Sequence, residues 1–215
     1  MNLFLVRHTE TEATAGRCIG QSNVALSEKG SADVAKLVEQ LKPLAPSVMI
    51  SSDLLRCRVL AEALAKAVKV DVVFETAWRE INFGQWEGKT WDEIYTQDRA
   101  RYEAWTKDFV TIAPPEGESF VTLQLRIARA VNALSAYQAE TIVVVTHAGA
   151  IRAALSCAMG LPLERTFAIG LNNGAVVHLR KHTQSEWILQ NLSNSLRTYA
   201  KRLKVSRFQE KGDTR

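Results

Sequence analysis

Apolar positions along this chain switch between two periods. Short continuous runs at Asn2–Val6, Val48–Ser52 and Thr141–Thr146 read as strands. The Ile142-Val143-Val144-Val145 stretch has the character of a strand buried on both faces. Val70–Phe74 is β-branched and predicts another. Between these runs the spacing lengthens. Val34, Leu37, Val38 and Leu41 put one apolar stripe on a helix over Ser27–Leu41. Phe120, Leu123, Ile127, Ala130, Val131 and Leu134 mark a longer helix. Leu54–Ala67 predicts a third, with Asp53 as its N-cap. Gly149–Met159 predicts a fourth, stopped by Gly160 and Pro162. Ala175–Leu179 and Glu186–Gln190 predict an antiparallel pair joined through Lys181–Ser185. Strands alternating with helices imply a layered α/β fold with helices on both faces of the sheet.

Composition adjusts this picture at two places. The segment Trp78–Glu118 carries eight of the sixteen aromatic residues and ends in Ala113-Pro114-Pro115-Glu116-Gly117. It reads as an insertion forming a small helical cap over the sheet edge. The 215 residues, 47% hydrophobic, otherwise suit one domain over residues 1–195. The net charge of +4 is concentrated in residues 196–215, where seven Lys/Arg face two acids. A short basic terminus reads as a solvated tail, with Leu196, Tyr199, Ala200 and Leu203 at helical spacing for partial docking. Nucleic acid is therefore not expected as a partner. No run approaches the roughly 18 apolar residues of a membrane span. Cys18, Cys57 and Cys157 are odd in number and lack metal-type spacing, so a reducing cytoplasm is the expected setting.

The candidate chemistry lies where apolar runs end. Arg7-His8 follows the first strand, Ser51-Ser52-Asp53-Leu54-Leu55-Arg56 the second, and His147-Ala148-Gly149 the Thr141–Thr146 run. In a parallel sheet these ends share one edge, where open α/β folds bind ligands. Two arginines and two histidines in one crevice make an anion site, because guanidinium forks match phosphate oxygens. Ala148 and Gly149 open a helix whose free N–H groups favour an anion. No metal-ligand cluster or cofactor motif is visible. A neutral imidazole held by neighbours can attack phosphorus itself. Glu80, ahead of Phe83-Gly84-Gln85-Trp86-Glu87-Gly88, is the best-placed acid, with Glu87, Asp92 and Glu93 as competitors. Glu10 and Glu12 read as loop carboxylates, and His178 and His182 as structural or exposed.

These four ordered motifs resemble the histidine phosphatase superfamily over about residues 2–190. The resemblance implies a three-layer α/β/α sandwich around a six-stranded, mostly parallel mixed sheet. It implies a phosphohistidine on His8, a phosphate pocket of Arg7, Arg56 and His147, and proton donation by Glu80. Ala148, Thr14, Gly20 and Gln21 are the further candidate substrate contacts. Glu80-Ile81-Asn82-Phe83-Gly84-Gln85-Trp86-Glu87, Trp105, Pro115-Glu116-Gly117-Glu118-Ser119-Phe120, Gly160-Leu161-Pro162 and Asn172-Asn173-Gly174 are similar to the alpha-ribazole phosphatase branch. The chain departs from the family pattern at Thr9 (glycine), Thr14 (asparagine), Ile19 (serine or threonine) and Leu60 (threonine).

The expected activity is metal-independent hydrolysis of a small phosphate ester, alpha-ribazole 5′-phosphate first among them. A broad sugar-phosphate phosphatase or phosphoglycerate mutase is the alternative. A non-catalytic phosphoanion-binding module is the reading from another class. The oligomeric state is open.

Overall fold

The computed structural model describes residues 1–13, 16–181 and 186–194. Six strands form one sheet: β1 (Asn2–Arg7), β2 (Val48–Ser51), β3 (Val72–Phe74), β4 (Thr141–Thr146), β5 (Val176–Lys181) and β6 (Trp187–Ser193). Their order is β3-β2-β4-β1-β5-β6. The β2–β3, β2–β4 and β1–β4 pairs are parallel, and β5 runs antiparallel to both neighbours. The expected mostly parallel mixed sheet is therefore present.

Alternation along the central strands builds both cores. Ile142 and Val144 of β4, with Leu3 and Leu5 of β1, face one side. There they meet α5 (Phe120–Ala133) and α6 (Ala148–Met159) through Leu123, Ile127, Ile151 and Leu155. Val143 and Val145, with Phe4 and Val6, face the other side. They meet α1 (Glu28–Leu41) and α2 (Leu55–Val68) through Leu37, Leu41, Leu60 and Leu64. A strand between two helical layers has no polar face, which is why β4 is written as an unbroken apolar run. Leu60 fills this second core and is fully buried.

Helix ends follow local chemistry. Ser27 caps α1 by accepting the Gly30 N–H, and Ser119 caps α5 by accepting the Thr122 N–H. The expected Asp53 cap is corrected: Leu54 occupies the N-cap of α2 without a side-chain bond of its own, and the Leu55 N–H donates to Asn23 Oδ1 at 2.7 Å. Asp53 instead forms a two-pronged ion pair with Arg79. The predicted β3 loses its first two residues, because Val70 N–H returns to Ala65 O behind the left-handed Lys69.

The aromatic segment divides. Trp78 is wholly buried with α5 and belongs to the body of the domain. Its carbonyl accepts the Thr146 hydroxyl at 2.6 Å, pinning the chain to the end of β4. Two short helices follow, α3 (Trp91–Gln97) and α4 (Arg99–Lys107). A capping box between Thr90 and Glu93 starts α3. Trp86, Ile94 and Cys18 form a separate small core, with Trp91 stacked on Trp105 at 5.3 Å. Cys18 N–H donates to Lys89 O and Gly88 N–H to Cys18 O, both at 2.8 Å, which fastens this unit to the loop after β1. His182 and the tail helix expected after residue 195 lie outside the described residues.

The two-core arrangement is tested by unfolding in urea. Leu37→Ala, at a fully buried site, should cost about 2–5 kcal/mol. Leu125→Ala, on α5 but 57% exposed, should stay within about 0.5 kcal/mol. Equal losses would contradict the assignment of helix faces.

Candidate active site

Parallel register delivers the site. Arg7 lies opposite Thr146, and Ser51 opposite Val145. The ladder continues one step further, with His8 N–H to Thr146 O at 3.0 Å and Ser52 N–H to Val145 O at 2.9 Å. His8, Ser52 and His147 therefore leave the sheet at one edge.

His8 is buried, and its Nδ1 lies 2.7 Å from the Thr9 carbonyl. A carbonyl can only accept, so the ring proton sits on Nδ1 and Nε2 keeps its lone pair. Burial, then the charge of Arg56, pushes the His8 pKa down to about 3. The imidazole is neutral at any working pH.

Arg7 sits beside it. Its Nη1 donates to Leu171 O, while Nε is buried with no hydrogen-bond partner. The Asn172-Asn173-Gly174 turn makes this possible. Gly174 takes φ of 74° and its N–H returns to the His8 carbonyl at 3.1 Å.

Arg56 is 1% exposed. Nη1 donates to Ser22 O at 2.8 Å, Nη2 to Gly20 O at 2.5 Å and Nε to His147 Nδ1 at 3.2 Å. A guanidinium carries five N–H donors, so two remain for a ligand. Because Nδ1 of His147 accepts, its Nε2 carries the proton, which goes to Ser52 Oγ at 2.9 Å. The rings of His8 and His147 meet edge-on at 5.2 Å. Burial and the nearby arginines hold the His147 pKa well below its ordinary value. Burial also pushes up the Cys57 thiol, 3.4 Å from His147 Nε2, so it packs as a neutral group.

Glu80 approaches from the segment before the cap. Its Oε1 accepts the Ile81 N–H at 3.0 Å and Oε2 the Gly149 N–H at 3.1 Å. Gly149 is required by this approach: a Cβ there would lie 2.1 Å from Glu80 Oε1. The Glu80 backbone is held by Arg126, which donates to the carbonyls of Ala77, Arg79 and Glu80 and pairs with Glu118 at 2.7 Å.

Arg7, His8, Arg56 and Glu80 line a cavity of about 580 Å³. Glu10, Arg17, Ile19, Phe83, Trp91 and Asn173 share its wall. The other candidates are placed differently. His147 supports Arg56 from below. The Gly149 N–H expected for an anion is taken by Glu80, and Ala148 opens the same helix. Gly20 and Gln21 are absent from the wall, with backbone N–H groups on Glu87 and the Gln21 amide on Glu80 O. Thr14 lies outside the described residues. Glu10 touches the cavity but is bound to Ser27 Oγ and Lys29. His178 is structural, stacked on Phe4 at 4.2 Å. Ser52, Arg126 and Glu118 were missed by sequence reasoning. Ser52 meets a residue 95 positions away and Arg126 meets backbone carbonyls, contacts that no spacing rule exposes.

Residues 3–195 match the family described as histidine phosphatase superfamily (branch 1). The chain belongs to the histidine phosphatase superfamily. This histidine phosphatase is 32% identical to a protein of Erwinia tasmaniensis named probable phosphoglycerate mutase GpmB, over 87% of this chain and 88% of the relative. The GpmB-named protein of Proteus mirabilis is 31% identical over the same shares. Among solved structures, the alpha-ribazole phosphatase of Shigella flexneri superposes with a TM-score of 0.85, at 26% identity, covering 91% of this chain and 97% of that one. A mycobacterial glucosyl-3-phosphoglycerate phosphatase gives 0.79 at 30% identity, covering 88% and 96%. The chain is thus an enzyme of phosphatase or mutase type for small phosphate esters. Among the described residues, no helix is long and apolar enough to cross a membrane.

The buried histidines set a pH dependence. Free imidazole takes its proton near pH 6.5. His8 does so only near 3, and burial lowers His178 to about 4. Between these values the unfolded chain binds more protons, so stability falls as pH falls. The melting temperature should drop from pH 6.5 toward pH 4, and His178→Gln should flatten that slope. A melting temperature that is level or rising over this interval would contradict neutral burial.

Proposed function

We propose that this histidine phosphatase is a metal-independent phosphomonoesterase working through a phosphohistidine on His8. One observation carries the reading. Around the free Nε2 of a neutral His8 stand a buried Arg7 Nε–H without a partner and two unspent N–H groups of Arg56. Unpaired buried donors are costly, and a phosphoryl group satisfies them.

The steps follow from these positions. The His8 Nε2 lone pair forms a bond to phosphorus as the bond to the ester oxygen breaks. Arg7 and Arg56 bind the transferring oxygens, and His147 holds Arg56 in place. Glu80 gives a proton to the departing alkoxide. Water then attacks phosphorus while the Glu80 carboxylate takes its proton, the P–N bond breaks, and inorganic phosphate leaves.

Alpha-ribazole 5′-phosphate is the proposed substrate. The structural likeness to alpha-ribazole phosphatases supports it. So does the wall opposite the phosphate end, where Phe83 and Trp91 meet edge-on at 6.1 Å. Trp91 offers an aromatic surface for a benzimidazole-like base. Three free cysteines suit the cytoplasmic setting of such an enzyme. A second reading, phosphoglycerate mutase, draws on the names of the sequence relatives.

Phosphate release in EDTA from alpha-ribazole 5′-phosphate, sugar phosphates, nucleotides and 3-phosphoglycerate separates these readings. A kcat/KM preference for the first supports the proposal. Isomerisation of 3-phosphoglycerate without net phosphate release establishes the mutase. His8→Ala should abolish the labelled phosphoenzyme. Glu80→Gln should lower kcat about 10²–10⁴-fold. Retained turnover and labelling in His8→Ala would sink the mechanism.

Gly149→Ala tests the seat of Glu80 separately. The added methyl displaces the carboxylate, so kcat should fall on the order of 10²-fold through misplacement, with phosphate binding little changed. Normal kcat in a folded Gly149→Ala enzyme would show that the Glu80 position is not critical.

A further inference from the structure

Within Phe83-Gly84-Gln85-Trp86-Glu87-Gly88, Trp86 fills the cap core. Glu87 has a different surrounding. Its Oε1 accepts the N–H of Gln21 at 2.8 Å and of Phe83 at 3.0 Å. Its Oε2 accepts the N–H of Gly20 at 3.1 Å, the N–H of Ser22 at 3.2 Å and the Ser22 hydroxyl at 2.5 Å. Three consecutive backbone N–H groups thus converge on one carboxylate.

The carbonyls of the same loop do the opposite job. Gly20 O and Ser22 O accept the two terminal nitrogens of Arg56. Glu87 and Arg56 therefore grip the loop through its donors and its acceptors respectively. Gly20 has no room for a side chain, since a Cβ would lie 2.0 Å from Ile81 O and 2.4 Å from Glu87 Oε1. The loop is pressed against residues 81–87.

We propose that Glu87 is a positioning residue for the phosphate pocket: its carboxylate shapes residues 20–22 into a two-carbonyl cradle that aims the Arg56 guanidinium at the phosphoryl group. The inference rests on the reading of Arg56 as a phosphate ligand. A long arginine side chain loses rotamer freedom when it grips a ligand, and a preformed cradle removes that cost from binding. Glu87 acts through Arg56 and does not line the cavity.

The test is a double-mutant cycle read by calorimetric binding of inorganic phosphate to the full chain, with folding checked by circular dichroism. Glu87→Gln puts an amide among N–H donors and should weaken phosphate binding about tenfold or more. In the Arg56→Ala background the same change should alter binding less than about twofold, because coupled residues are non-additive. Equal weakening in both backgrounds, or unchanged binding in Glu87→Gln, overturns the proposal. An Arg56→Ala enzyme that binds phosphate like the parent overturns instead the reading of Arg56 as a ligand. If Glu87→Gln does not fold, Ser22→Ala removes one donor and spares the backbone. It should weaken binding about two- to fivefold, only while Arg56 is present, and no change there overturns the proposal equally.

Discussion

Parallel pairing of β2, β4 and β1 is the constraint on which the site depends. Parallel strands end on the same side, and their register here carries His8, Ser52 and His147 out at one level. That pairing survives because β4 is clamped between two helical layers. A one-residue slip would exchange Val143 and Val145 for Ile142 and Val144 on each face. Both faces are apolar, so the alternation alone would tolerate the slip. The strand ends add what it lacks: Thr146 is fixed by its hydroxyl on Trp78 O, and His147 by Arg56 and Ser52. The side chains of the candidate site and the register are locked by the same contacts.

The charge balance of the edge follows. Arg7 and Arg56 are both desolvated, which lowers their affinity for the proton. Arg56 offsets the cost of burial through backbone carbonyls instead of a direct carboxylate partner. A direct ion pair would offset the guanidinium charge and weaken its pull on an anion. Carbonyl dipoles hold it while preserving its charge. Glu87 supplies balancing negative charge from a distance. The same cations, together with burial, keep His8 and His147 unprotonated. A neutral imidazole and a cationic pocket thus come from one electrostatic arrangement.

The elements legible in the sequence were those written by periodicity. Apolar runs marked the strands, 3.6-residue spacing marked α1 and α5, and start or stop signals marked α2 and α6. The Arg7-His8, Arg56 and His147 positions were legible because each follows a strand, and topology does the rest. Asp53 was misread as a cap because its true partner, Arg79, is distant in sequence and invisible to local rules. Gly20 and Gln21 were expected at the ligand; their polar groups are spent on Glu87, Arg56 and Glu80. Gly149 marked a helix start in the sequence, while its second task, clearance for the Glu80 carboxylate, emerges only in three dimensions.

The strand-end residues of the candidate site and the outer wall of its cavity are built from different parts of the chain. The inner end rests on strand ends and helix starts, held largely by backbone groups. The far wall of the cavity comes from the loop after β1 and from Phe83 and Trp91 of the cap segment. Those residues pack on a separate small core around Trp86 and Ile94. Repacking that core can move the wall without touching the main sheet. Thr9 and Ile19 depart from the family pattern on the loop itself. Thr9 carries a buried hydroxyl with no partner, and Ile19 puts an apolar surface in the cavity where the family places a hydroxyl. Side chains on this wall, Ile19, Phe83 and Trp91 beside Glu10 and Arg17, can therefore vary while the strand ends stay fixed.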